Sequence, residues 1–255
     1  MSFATYERLD PAVGVVTLNR PERLNAISGD LLAAFSAALS EAEADGSTSV
    51  TILRGAGRAF CSGDDLKEFD KQSASAESIR AHIDAIQEIT HLLMRSEKPV
   101  IGALHGFAAG GGFEWLLNCD LVVAADDLVA FFPEMEWGQF VTGGVTHLLR
   151  QTVGHQRAME LLLLGNRQAA GELLALGLVN RVVPRDQMLD TALALARQIA
   201  SKSRFSVSQL KQLMNVELNA PMWQAVEAET RITVQAFANP EAPERLKAFF
   251  DRKKK

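Results

Sequence analysis

Three consecutive glycines, Gly110 to Gly112, limit what this chain can fold into more than any other stretch. They follow an apolar run that opens after Pro99 and passes Gly106, and they lead into Phe113-Glu114-Trp115-Leu116-Leu117, which reads as the first turns of a buried helix. A strand, a glycine turn and a helix in that order leave unpaired backbone N–H groups at the helix start. Those donors sit at the positive end of the helix dipole, so the place suits a negative charge. Gly111 carries no side chain, which lets another molecule approach the backbone, and Glu114 sets a carboxylate beside the pocket. The glycine spacing does not fit the dinucleotide fingerprint, which needs a further glycine three residues on.

Along the rest of the chain, β-rich and amphipathic segments alternate. Val13 to Leu18 and Ser49 to Arg54 read as strands, with a helix from about Leu31 to Ala44 between them, capped by Ser28 or Asp30. Residues 68–78 are polar and small and read as a mobile loop. Ile79, Ile83, Ile86, Ile89 and Leu93 then mark one face of a helix. Leu121 to Ala125, Leu128 to Phe132 and Gly177 to Val183 are further strands, and Ala158 to Leu164 a further helix. Beyond Asp186 the pattern is helical only, with helices expected over Met188 to Lys202, Ser206 to Val216, Pro221 to Phe237 and Pro243 to Phe250. The alternation predicts an α/β core with right-handed crossovers, placed at residues 1–198, followed by a helical region at 199–255. The stripe Met222, Val226, Ile232, Val234 and Phe237 suits either core closure or contact with another subunit.

Composition narrows the function classes. The chain has 255 residues, 47% hydrophobic and 22% charged, ample for a core without disulfide staples. A net charge of −5 argues against nucleic acid as a partner, and Lys253-Lys254-Lys255 is read as a solvated tail. Two cysteines, Cys61 and Cys119, provide no disulfide framework and point to a reducing compartment. Met1 to Asp10 has neither a secretory apolar core nor a transit pattern, and no apolar run reaches membrane length, so a cytoplasmic, membrane-free protein is the expectation. Cys61 has no histidine in its motif to activate it and is read as a buried thiol; the five histidines show no metal spacing, so no metal is expected.

Three segments end strands with polar or glycine turns: Phe60-Cys-Ser-Gly-Asp-Asp-Leu-Lys67, Ala109-Gly-Gly-Gly-Phe-Glu114 and Phe131-Phe-Pro-Glu134. In an α/β sheet such loops collect on one edge and can meet in one crevice. Together with Asn19-Arg20-Pro21-Glu22-Arg23-Leu24-Asn25-Ala26, His105-Gly106, Asn118-Cys-Asp120 and Gly177-Leu-Val-Asn180, they make the chain resemble the enoyl-CoA hydratase/isomerase (crotonase) superfamily from about Gly14 onward.

The resemblance implies a crotonase-like spiral of ββα units with a C-terminal helical trimerisation region, assembled as a homotrimer or a hexamer. It implies an acyl-CoA thioester as ligand, coenzyme A entering as part of the substrate with no separate cofactor. It also implies an oxyanion hole from the N–H groups of Asp64 and Gly111, and a catalytic pair in which Glu114 activates water and Glu134 exchanges the α-proton. Substrate contacts are implied at Arg23, Ala26, Ser62, Asp65, Leu66 and Lys67. Two carboxyls can divide the acid and base work of adding water to a 2-enoyl thioester, and sharing one small site should couple their titrations. The expected activity is enoyl-CoA hydration. Double-bond isomerisation, needing only Glu134, and a non-catalytic CoA-binding protein are the alternatives. Asp64 and Glu136 add two more acids near the pocket. The stretch Gln139 to His147 replaces the family's usual Pro-Gly-rich turn and should shape the acyl pocket.

Overall fold

The structure is a computed structural model that describes residues 2–252; the lysine tail read as solvated lies outside the described residues. In chain order the elements are β1 (Ala4–Asp10), β2 (Val13–Leu18), α1 (Gly29–Ala44), β3 (Val50–Gly55), α2 (Phe69–Gln72), α3 (Ala76–Arg95), β4 (Val100–Leu104), β5 (Phe107–Ala109), α4 (Gly111–Leu117), β6 (Leu121–Ala125) and β7 (Val129–Phe131). There follow α5 (Glu134–Trp137), α6 (Val145–Val153), α7 (His155–Leu164), β8 (Gln168–Ala169), α8 (Ala170–Ala175), β9 (Arg181–Val183), α9 (Met188–Ala200), α10 (Arg204–Gln212), α11 (Ala220–Phe237) and α12 (Glu241–Arg252).

Six strands form the main sheet in the order β1-β2-β3-β4-β6-β9. The β1–β2 pair is antiparallel and the other pairs are parallel. Central strands β2, β3 and β4 are buried almost throughout and read as near-continuous apolar runs, as expected where both faces are covered. One face packs on α1, α3 and α4 through Phe35, Phe60, Leu93, Phe113 and Trp115. The other face, with Val13, Val15, Ile52 and Ile101, is covered by α9 through Met188, Ala192 and Ala196. A second, three-stranded sheet (β5-β7-β8) turns away from the first. Two isolated parallel bridges, Ile27 to Asp64 and Cys61 to Ala108, continue it toward residues 27 and 64.

Several elements differ from the sequence expectation. Residues 68–78 are not a plain loop: α2 forms there because Phe69 is buried and stacks on Phe237 of α11 at 5.5 Å, a partner 168 positions away. The N-terminal segment forms edge strand β1, whose charged, exposed residues carry little strand signal. Of the run Gly177 to Val183 only Arg181–Val183 is strand, because Gly177 takes a positive φ at the end of the preceding helix. Residues 213–217 continue α10 as a π-helical turn. Ser28 caps α1, accepting from the Leu31 N–H at 3.2 Å. Among the described residues, no helix is long and apolar enough to cross a membrane.

Polar ties hold the helical layers to the sheet. Lys98, 2% exposed, donates through Nζ to the carbonyls of Ala42 (2.5 Å) and Asp45 (2.7 Å) and to Thr48 Oγ1 (3.1 Å), closing the C-terminus of α1. Asp120 accepts from the Val100 N–H and pairs with Lys211 of α10 at 2.8 Å. Lys211 in turn donates to the carbonyls of Leu93 and Lys98. Replacing Lys98 by methionine keeps the bulk and strips the donors from two buried acceptors and one partly buried one. Lys98→Met should therefore lower unfolding free energy by about 2 kcal/mol, read as an earlier urea midpoint with an unchanged slope.

Candidate functional site

The site is built where the second sheet begins. Ile27 donates to the Gly63 carbonyl at 2.9 Å, and Asp65 donates to the Ile27 carbonyl at 2.8 Å. In a parallel bridge of this kind the residue between those two, Asp64, points its own N–H away from the bridging strand. Gly63 lies so close to the next segment that a Cβ there would stand 3.0 Å from the Ala109 carbonyl oxygen. The turn carrying Asp64 is thus pressed against the start of α4. Gly111 is the first residue of α4, so its N–H has no partner within the helix. Among the described residues no acceptor is bonded to the N–H of Asp64 or of Gly111. Asp64, Gly111, Glu114 and Glu134 line one small cavity of about 20 Å³, room for one water.

Glu114 is fixed in one pose. Its Oε1 accepts from the Thr142 N–H at 2.8 Å and its Oε2 from Thr142 Oγ1 at 2.6 Å. Burial pushes its carboxyl up to about 7, against the lowering effect of the two Thr142 bonds. Glu134 opens α5, and its Oε1 would stand 2.6 Å from a Cβ on Gly110, so a glycine with φ +53° is required there. Burial, and then the charge of Glu114, hold Glu134 well above the ordinary carboxylate range. Its Oε2 is buried without a hydrogen-bond partner. Burial thus raises both acids, Glu114 to about 7 and Glu134 well above the ordinary range, with the charge of Glu114 adding to the second.

A wider cleft of about 550 Å³ adjoins this cavity, and Asp64 and Trp137 line both. Of the contacts expected from sequence, Arg23, Ala26, Ser62, Asp65 and Leu66 line the cleft. Lys67 is exposed and is not among its lining residues. Asp65 is already engaged: Arg20 and Arg23 reach its oxygens at 2.9 Å and the Lys67 N–H donates to Oδ1. Burial pushes its carboxyl up, but these donors outweigh that and leave it below the usual range. Asn25 staples the same corner, donating to the carbonyls of Ala56 and Ala59. The Asn19 to Ala26 motif is thus largely an anchor for the Asp65 turn. Glu136 lines the cleft, not the small cavity. Cys61 is fully buried, and burial pushes its thiol up to about 12, which agrees with an inert packing role.

Other residues of the site were not singled out from sequence. Arg58 and Arg167 line the cleft, and isolated surface arginines carry no pattern that marks them. Thr142 lies inside the divergent stretch after Trp137, whose departure from the usual turn was the available signal. Glu229 of α11 accepts from the Gly144 N–H (2.7 Å), the Thr146 N–H (2.8 Å) and Thr146 Oγ1 (2.7 Å), and so holds the turn that holds Glu114. A glutamate on the buried face beside Val226, Thr230 and Thr233 is the trace it leaves in the sequence. Burial pushes Glu229 up to about 8.

Comparison with known proteins finds relatives along nearly the whole chain. Residues 8–255 match the family described as enoyl-CoA hydratase/isomerase. The chain is 33% identical over 241 residues to a probable mitochondrial enoyl-CoA hydratase of Dictyostelium discoideum, covering 94% of this chain and 86% of that protein. It is 39% identical over 204 residues to mevalonyl-coenzyme A hydratase SIDH of Beauveria bassiana, covering 77% and 73% respectively. A solved enoyl-CoA hydratase/isomerase from Xanthobacter autotrophicus Py2 superposes with a TM-score of 0.89 at 33% identity, covering 96% of this chain and 92% of that one.

The raised Glu114 value sets a pH dependence. A carboxyl whose pKa is higher folded than unfolded binds more protons in the native state between the two values, so stability falls as pH rises through that window. Glu114→Gln removes this penalty. Its stability relative to wild type should therefore climb between about pH 4.5 and about 7, by about 3 kcal/mol at most, and then level off. Thermal unfolding of both proteins across that range measures it, and a flat difference would contradict the buried, proton-binding carboxyl.

Proposed function

The chain belongs to the enoyl-CoA hydratase/isomerase family, and we propose that it adds water across the double bond of a 2-enoyl-CoA. The observation that supports this reading is a pair of buried carboxyls, Glu114 and Glu134, on one water-sized cavity also lined by Asp64 and Gly111, whose N–H groups have no acceptor among the described residues. The thioester oxygen accepts from those two N–H groups, each worth roughly 2.7–4 kcal/mol to a developing oxyanion. The thioester then sits across both N–H groups with its Cα and Cβ facing the carboxyls.

Glu114, ionised near neutral pH, takes one proton from the water as the water oxygen bonds to Cβ. Electron density moves through the former double bond onto the thioester oxygen, and the enolate collapses by taking a proton at Cα from Glu134, which holds one. The two environments suit the two roles, the base poised near the working pH and the acid kept neutral by burial. Coenzyme A enters as part of the substrate. Its phosphates face a cleft carrying Arg23, Arg58 and Arg167, whose guanidinium groups suit phosphate oxygens.

The assembly we propose is a trimer or a dimer of trimers. Leu210, Met214 and Leu218 are 60–71% exposed beside a groove of about 680 Å³ between α9, α10 and the β4 and β6 ends, an apolar surface that association would cover. Sedimentation should find three or six chains, and a monomer at micromolar concentration would contradict it.

Loss of the 2-enoyl absorbance of crotonyl-CoA tests the chemistry. Glu114→Gln and Glu134→Gln should each cut kcat by about 10²–10⁴-fold with substrate binding retained. Migration of a 3-enoyl double bond that survives Glu114→Gln but not Glu134→Gln, without hydration, would replace this reading by isomerisation.

A further inference from the structure

Buried side-chain polar atoms without a partner are rare in folded proteins, yet several gather at one cavity here. Both ends of the Gln139 amide, Nε2 and Oε1, are buried and bonded to nothing among the described residues, as are Asp64 Oδ1 and Glu134 Oε2. All three residues line the small cavity. Glu134 has a task in the hydration step. Gln139 has none, although it is only 8% exposed. Its backbone N–H donates to the Glu134 carbonyl at 2.9 Å, which fixes its place relative to the acid that serves Cα. Asp64 Oδ1 lies 3.6 Å from His82 Nε2, too far for a hydrogen bond.

Of the remaining walls, Ile83, Ile86, Phe140 and Phe237 are apolar, and the hydroxyls of Thr142 and Thr233 already donate to Glu114 Oε2 and the Glu229 carbonyl. A methyl group placed against Gln139 would bury an amide with neither donor nor acceptor satisfied, which is costly. A carboxylate or phosphate would stand among three acids, Asp64, Glu114 and Glu134. An ammonium would leave the amide Nε2 unmatched. A hydroxyl fits, because it accepts from Nε2–H and donates to Oε1, and it does so whichever way the amide is turned. The cavity that Gln139 shares with Asp64 and Gly111 is only about 20 Å³, so an acyl chain reaching it has little length to spare.

Resting on the hydration reading, we infer that the acyl pocket selects a short 2-enoyl thioester bearing a hydroxyl on the carbon next to the double bond, and that Gln139 recognises this hydroxyl. Gln139 acts on specificity, while the oxyanion pair and the two glutamates act on rate. The preference should be large, since a site built to hydrogen-bond a hydroxyl discriminates strongly against the analogue that lacks it.

The test compares crotonyl-CoA with trans-4-hydroxybut-2-enoyl-CoA, which differ by one oxygen. Wild type should favour the hydroxylated thioester at least tenfold in kcat/KM. Gln139→Leu should lose the preference and gain on crotonyl-CoA; Gln139→Met serves if the leucine variant fails to fold. Calorimetric binding of both thioesters to Glu114→Gln, and to the same protein with Gln139→Leu added, gives a readout that needs no turnover. Equal binding of the two thioesters, or a preference unchanged by the Gln139 substitution, overturns the inference. Absent hydration with the binding preference intact overturns the hydration reading alone.

Discussion

The contact on which the rest of this structure depends is backbone against backbone: the Gly63 turn pressed onto the Ala109 to Gly110 segment. Two short parallel bridges, Ile27 to Asp64 and Cys61 to Ala108, lock it in register. The bridge turns the Asp64 N–H outward, and the helix start does the same for Gly111. Neither direction is set by a side chain, so the pair of donors is as rigid as the two sheets. Preorganised donors of this kind need no reorganisation when charge develops.

Rigidity of the donors is matched by a set of carboxyls that the fold holds at an energetic cost. Glu114, Glu134 and Glu229 are all buried and all resist ionisation. What keeps Glu114 and Glu229 in place is the turn from Thr142 to Thr146, which presents its N–H groups in sequence: Thr142 to Glu114, Gly143 to Gln87, Gly144 and Thr146 to Glu229. Helices α3 and α11 supply Gln87 and Glu229, so the position of Glu114 depends on helices remote in sequence. Local stability has been given up at the place where chemistry needs poised protons.

Much of this was legible in the sequence because the relevant signals are short-range. Ser28 before an apolar-periodic stretch marked the start of α1, and the isoleucines of α3 declared its buried face. The strands β2, β3, β4 and β6 were apolar runs bounded by turn residues. Where the sequence misled, a distant partner made the decision. Phe69 looks like a lone aromatic in a polar loop until Phe237 stacks on it and a helical turn forms. Strand β1 is charged and exposed, and exists because β2 offers it an edge. Lys67 sat in the right motif, yet it points outward while the neighbouring Asp65 turns in to meet two arginines.

By itself the sequence determined the α/β class, the glycine turn ahead of a helix, and the two glutamates as candidates, because periodicity, glycine and the order of motifs are properties of neighbouring residues. It could not say which polar groups end up buried and unmatched. That Gln139 faces the same cavity as Asp64 and Gly111, that Thr142 grips Glu114, and that Arg58 and Arg167 border the cleft follow from chain segments tens to a hundred residues apart meeting in space. Only the tertiary structure removes water from those groups, and it is the removal of water that raises a carboxyl's proton affinity and makes an unpaired buried amide costly.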